Sequence, residues 1–273
     1  TATPGWYNTA AYEEEAQKAG LYAKSINGDA FSKAVKEETI ALIKRDWGKA
    51  DMVIYSLAAP RRTDTQGKTW VSALKTTGRP FTEKSMDLRN HTIVTKTVEP
   101  AAEEEVEGTK KVMGGEDWLD WIKALKAADV LEDNALTVAY SYIGPRLTYP
   151  IYYDGTIGQA KRHLEKTARV IREEFPDVRA LISVNKALVT QASAAIPIVP
   201  LYFAVLYGVM KEAHTHEGCI EQMVRLFREK LLEENPPTDE AGRIRMDDWE
   251  TGEQIPSRGG GKRGTQTWGL WGN

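Results

Sequence analysis

Three apolar runs constrain this chain more than any other feature, each read as a buried strand: MVIYSLA at 52–58, LTVAYSYIG at 136–144, and VRALISVNKALVT at 178–190. Apolar runs without strict alternation suit strands buried on both faces, which is the condition of a parallel sheet covered by helices. Helical patterns separate them. Residues 6–19 read as a helix, YAKSI (22–26) as a short strand closed by Asn27-Gly28-Asp29, and about 30–47 as a second helix. Phe31, Ala34, Val35, Ile40, Ile43 and Trp47 are available for that helix's inner face. Helix, strand, helix, strand is the grammar of a doubly wound α/β fold, so a Rossmann-like parallel sheet is expected.

The second run leads into the richest chemistry. After LTVAYSYIG the chain turns and enters a helix, for which Thr156 and Gln159 offer a T-x-x-Q capping box and a start near Ile157. Ile157, Ala160, Leu164, Ala168, Ile171 and Phe175 then recur as one apolar stripe. Lys161 falls roughly 50° from its centre, whereas Arg162 and Lys166 point away. A lysine aimed inward needs a partner for its charge. Tyr152 precedes it by nine residues, and the Asp154-Gly155 turn would let its ring fold back, where an ammonium would lower the phenol's pKa. A tyrosine and a lysine beside a nucleotide-binding sheet suggest hydride transfer at a carbonyl or conjugated carbonyl. The spacing suits equally an aromatic wall of Tyr149, Tyr152 and Tyr153 with a snorkelling Lys161.

Several further strings stand in a fixed order: INGDAF (26–31), YSLAAPRRT (55–63), VMGGEDWLDWIKAL (112–125), ALVTQASAAIP (187–197) and THEGCIEQ (215–222). With Tyr152 and Lys161 in a Y-x8-K pattern, they resemble the signature segments of the trans-2-enoyl-CoA/enoyl-ACP reductases of the FabV type, over roughly residues 1–250. That resemblance implies NADH-dependent reduction of enoyl-CoA or enoyl-ACP. In this reading Tyr152 stabilises an enolate oxygen, Tyr142 offers a second hydroxyl to the thioester, and Lys161 holds the nicotinamide ribose. Asp29, Ala30, Leu57 and Ala58 match dinucleotide contacts; Leu188, Val189 and Thr190 match contacts to the nicotinamide half. The family's first strand and glycine-rich loop are expected upstream of Thr1. Asp29 also suits a plain helix N-cap. Short-chain dehydrogenases place their Tyr-Lys pair four residues apart, and no such pair suits this segment. A non-catalytic fragment that binds acyl thioesters is the remaining alternative.

From about 60 to 131 the βα alternation is interrupted. TWVSALK and HTIVTKTV suggest a hairpin around Gly78-Arg79-Pro80, followed by helices near 99–112 and 116–128, the second with Trp118, Trp121, Ile122 and Leu125 on one face. Glu103 to Glu105 read as a solvated face. The stretch between Lys186 and Lys211 carries no charge, yet Thr190, Gln191, Ser193, Pro197 and Pro200 argue against a membrane span. A strand, a polar turn and a helix from about Pro200 lining an acyl channel fit better. His214 and His216 lack ligand spacing, so no metal is expected, and Cys219 reads as packed inside a loop between two helices. Residues 251–273 form an irregular tail whose GGGK lacks P-loop spacing. A net charge of −3 gives no case for nucleic acid or anionic membrane. A single cysteine and the lack of an apolar leader lead to the expectation of a cytoplasmic protein; a monomer is expected.

Overall fold

The computed structural model describes residues 4–190, 193 and 196–251; the stretch 252–273, most of the expected tail, lies outside them. The sheet is built from β1 (Ala50–Tyr55), β6 (Leu131–Ser141), β7 (Val178–Val184) and β8 (Arg243–Arg245), parallel throughout and in the order β1-β6-β7-β8. The central strand β6 shows why the apolar runs matter. Ala135, Thr137 and Ala139 face one way, against α4 (Glu116–Ala127) and α5 (Thr156–Glu174), where Trp118, Ile122, Leu125, Leu164, Ala168 and Ile171 are buried. Leu136 and Val138 face the other way, against Leu226, Leu231, Ile244 and Met246. Helical segments therefore cover both faces, and a period of two sorts one strand between two cores. The fold is the expected Rossmann-like doubly wound sheet.

The stripe on α5 is buried as its spacing requires, with Phe175 packed at the core's edge. Its start differs from expectation. Thr156 does not cap the helix: Gly155 holds the N-cap position without a side-chain bond, while the Thr156 hydroxyl donates to the Ala73 carbonyl and accepts from the Lys75 amide at 3.2 Å. A buried hydroxyl with a crossing loop in reach serves that loop instead.

Helix α1 (Pro4–Lys18) is mostly exposed, and α2 (Lys33–Asp46) is capped by Ser32, which accepts from the Val35 amide, not by Asp29. Ile40 and Ile43 reach the core, but Ala34 and Trp47 are exposed. YAKSI forms no strand, because no described strand lies beside it to complete a ladder. The expected hairpin is two hairpins. Strands β2 (Arg61–Thr63) and β3 (Thr69–Val71) close on a turn where the Asp64 carboxylate accepts the Gln66 and Lys68 amides. Strands β4 (Phe81–Asp87) and β5 (Thr92–Val98) close on Asp87, which accepts from Arg89 and Asn90. Aspartates at turn starts are the stronger signal, and Gly78, at φ +96°, only links the two units. Helix α3 (Glu103–Met113) carries Glu103 and Glu104 exposed, while Glu105 pairs with Lys75 at 2.6 Å. Strand β7 stops at Val184, well short of Thr190. Helix α6 (Val199–Glu212) begins near Pro200 as expected, and no helix among the described residues is long and apolar enough to cross a membrane.

One buried ion pair ties α2, α4 and β1 together. Lys36 donates to Asp117 at 2.7 Å, and the Tyr55 hydroxyl donates to the other carboxylate oxygen at 3.2 Å. Removing one charge strands the other in a dry site. Lys36→Met is expected to destabilise the fold by about 3–5 kcal/mol in denaturant unfolding, with much of the loss recovered in Lys36→Met/Asp117→Asn.

Candidate functional site

The carboxyl ends of parallel strands are where a doubly wound sheet binds ligands, and here three of those ends converge. Beyond β6 lie Tyr142 and the turn that carries Tyr152. Beyond β7 runs the segment 185–190, and beyond β1 come Leu57 and Ala58. The lead-in to α5 is folded tightly: the Tyr152 amide donates to Thr148 O at 2.8 Å and the Asp154 amide to Tyr149 O at 2.8 Å. That fold needs Gly158. A Cβ there would collide with the Tyr153 carbonyl and come within 2.6 Å of Tyr152 O, so the tyrosine backbone lies directly on the first turn of the helix.

Two of the tyrosines singled out in the sequence lie against each other. Tyr142 and Tyr152 meet edge to face, centroids 4.8 Å apart, and Tyr142 also meets Phe203 of α6. Against Tyr142 stand Ile151, Ala187, Ile198, Val199, Tyr202, Phe203, Leu206 and Met210, an apolar cluster that β4 and β5 join through Phe81 and Val98. Ile198 opens α6 at φ +69°, a strained setting for a β-branched residue that fixes the entry of the helix into this wall.

Lys161 points inward, but not at Tyr152. Its ammonium donates to the Tyr140 carbonyl at 2.8 Å, and burial brings its pKa down from 10.5 to about 8. The stem remains half-buried while the charged end is desolvated. The expected acidification of Tyr152 is therefore not found. Burial pushes the Tyr152 phenol up, and the carboxylate of Glu250 adds to the rise, so at neutral pH this group is a neutral phenol. An ammonium has three donors and Tyr140 takes one, which leaves donors for the vicinal hydroxyls of a ribose. To that extent the strand ends and Lys161 fit a nicotinamide dinucleotide.

Sequence reasoning missed Glu250. It lies in α8 (Asp248–Thr251), is buried, and accepts from the hydroxyls of Tyr142 at 2.8 Å and Tyr202 at 2.6 Å and from the Ala187 amide at 2.7 Å. Two buried tyrosine hydroxyls signal an acceptor somewhere, but nothing local says it lies 108 residues beyond Tyr142. Tyr142 thus spends its single hydroxyl proton on Glu250. The remaining candidates divide. Leu188, Val189 and Thr190 follow Ala187 directly, with Val189 exposed and Thr190 bonded to Ser193. Leu57 and Ala58, Asp29 and Ala30 stay at the β1 side: Ala30 O accepts from Trp121 Nε1 at 3.1 Å, and the exposed Asp29 accepts the Phe31 amide on its carboxylate and the Ser32 amide on its backbone carbonyl. Cys219, expected inside, is exposed at the start of α7 (Cys219–Leu226). The THEGCIEQ string instead buries Glu217, which takes a bidentate pair from Arg225. No group of His, Cys, Asp or Glu suited to a metal occurs among the described residues.

Comparison with known proteins covers most of the chain. The family model for the trans-2-enoyl-CoA reductase catalytic region matches residues 1–232. An enoyl-[acyl-carrier-protein] reductase [NADH] of Flavobacterium johnsoniae is 55% identical over 94% of this chain and 66% of its own length. One of Coxiella burnetii is 55% identical over 93% of this chain and 64% of its own length. The chain thus spans just under two thirds of these curated relatives. Among solved structures, the Treponema denticola trans-2-enoyl-CoA reductase in complex with NAD superposes with a TM-score of 0.89 at 50% identity, over 93% of this chain and 64% of that one.

The lowered pKa of Lys161 has a thermodynamic sign. Between about pH 8 and 10.5 the unfolded chain holds a proton that the folded chain has released, so stability from this group rises with pH across that window; below it the burial penalty is present in full. Lys161→Met is expected to raise the melting temperature at pH 7, with the advantage fading as pH climbs past 8. A lower melting temperature at pH 7 would show that the bond to Tyr140 outweighs the penalty.

Proposed function

We propose, from the premise that this chain belongs to the trans-2-enoyl-CoA reductase family, that it reduces trans-2-enoyl thioesters of CoA or acyl carrier protein to acyl thioesters with NADH. The observation that carries the reading is the paired Tyr142 and Tyr152 at the end of β6, walled by α6 and adjoined by an inward lysine with spare donors. Bound NADH would supply a hydride to the β-carbon of the conjugated thioester. The chain's own residues have the complementary tasks. Tyr152, kept protonated by its burial, offers a hydroxyl to the oxygen on which enolate charge develops, and such a donor lowers the barrier more than it strengthens binding. Lys161 orients the ribose. Leu188, Val189 and Thr190 flank the nicotinamide half, and Asp29, Ala30, Leu57 and Ala58 serve the rest of the dinucleotide from the β1 side. Phe203 and Leu206 of α6, with Ile151, supply an apolar wall of the kind an acyl chain requires and keep bulk water from the reacting atoms.

The test is NADH oxidation with crotonyl-CoA, followed by absorbance. Turnover that prefers acetoacetyl-CoA, or no turnover with either, would overturn the reading. Given turnover, Tyr152→Phe is expected to lower kcat by about a hundredfold or more, with a small change in KM, as loss of a general acid does. In Lys161→Met, weaker NADH binding should accompany loss of activity even though the fold is no less stable.

A further inference from the structure

Glu250 is not among the residues the family's Tyr-Lys pattern supplies, yet its carboxylate joins three separate segments of the site. Its Oε1 receives two tyrosine hydroxyls from different elements, Tyr142 beyond β6 and Tyr202 within α6, while its Oε2 receives the amide of Ala187, the residue before Leu188, Val189 and Thr190. The carboxylate is itself braced. Arg225 reaches the neighbouring Asp248 at 2.9 Å and stacks on Trp249 at 4.3 Å, and it is anchored by Glu217. Ahead of the short helix, the Met246 amide donates to Val184 O at 2.9 Å, which fastens this segment to the end of β7.

We propose that Glu250 is a positioning residue of the reductase site: one carboxylate that locks the substrate-side tyrosine, the acyl-side helix and the nicotinamide-side segment in mutual register. The inference rests on the reductase reading for its catalytic consequence but not for its geometry. Tyr142 then acts as a fixed wall beside Tyr152, because its own proton is committed to Glu250. The oxyanion is left to Tyr152. The groups facing Glu250 are Tyr142, Tyr152 and Tyr202, Lys186 from the segment after β7, and Asp247 from its own segment. Burial raises each of the three phenols, and Glu250 raises them further; Lys186, buried and lowered, is the opposing charge.

Charge and reach can be separated. Glu250→Gln keeps the shape and drops the charge, and it cannot satisfy both sides: if its oxygen keeps the tyrosines, its amide meets the Ala187 N–H donor to donor. Glu250→Asp keeps the charge and loses reach. With folding checked by circular dichroism, an ultraviolet difference titration of phenolate is expected to show buried tyrosines ionising at lower pH in Glu250→Gln and near the wild-type pH in Glu250→Asp. Both should bind NADH about tenfold more weakly by fluorescence titration, the size of effect that one lost hydrogen bond produces. In Glu250→Gln the alkaline limb of kcat should move to lower pH.

Titration and NADH binding do not require turnover, so they decide the role of Glu250 even if crotonyl-CoA is not reduced. A purely structural role predicts that the two variants titrate alike. That result, or unchanged NADH affinity in both, overturns the proposal; if Glu250→Gln does not fold, NADH affinity in Glu250→Asp decides alone.

Discussion

Strand β6 is hydrogen-bonded along both edges, to β1 and β7, and covered on both faces, and the rest of the molecule depends on that condition. A backbone in this position has no solvent to turn to, so every polar group must be met by a neighbouring strand. Side chains small enough to let helices approach, Ala135 and Ala139, alternate with branched ones that fill the opposite core. Thr137 interrupts the pattern with a purpose: its hydroxyl accepts from Trp118 Nε1 at 2.8 Å and donates to Val53 O at 3.1 Å, pinning α4 to two strands. Where this strand escapes the sheet, its constraints lapse, and Tyr142 turns outward into the site.

Tyr152 and Lys161 show how environment overrides proximity. A tyrosine close in sequence to a lysine suggests an acidified phenol. In the folded chain the lysine's charge is spent on Tyr140 O, and the phenol is buried with a carboxylate near it. Both residues are shifted toward their neutral forms by the same cause, removal from water. A neutral phenol is the useful species where a proton must be lent to an oxyanion.

What could be read from the sequence was what is encoded locally. The stripe on α5, the face of α4 and the apolar runs of β6 and β7 follow from periods of 3.6 and 2, and they placed Tyr142, Tyr152 and Lys161 at a strand end. Two expectations failed because a stronger partner was invisible along the chain. Thr156 serves a loop that begins more than 80 residues earlier, and YAKSI has no strand beside it among the described residues. The hairpins were misplaced because glycine and proline at 78–80 outweighed Asp64 and Asp87, whose carboxylates close the turns. Glu250 was beyond local reading: its partners are separated from it by 108, 63 and 48 residues.

Those separations also order events in time. Translation delivers β6, the tyrosine pair and α5 well before β8 and α8, and domains begin to fold as they emerge. Until residue 250 leaves the ribosome, the hydroxyls of Tyr142 and Tyr202 and the amide of Ala187 lack their shared acceptor, and the wall around them has no fixed register. Of the described strands and helices, β8 and α8 are the last to be made, so a nascent chain acquires β6 and its paired tyrosines before the carboxylate that fixes them.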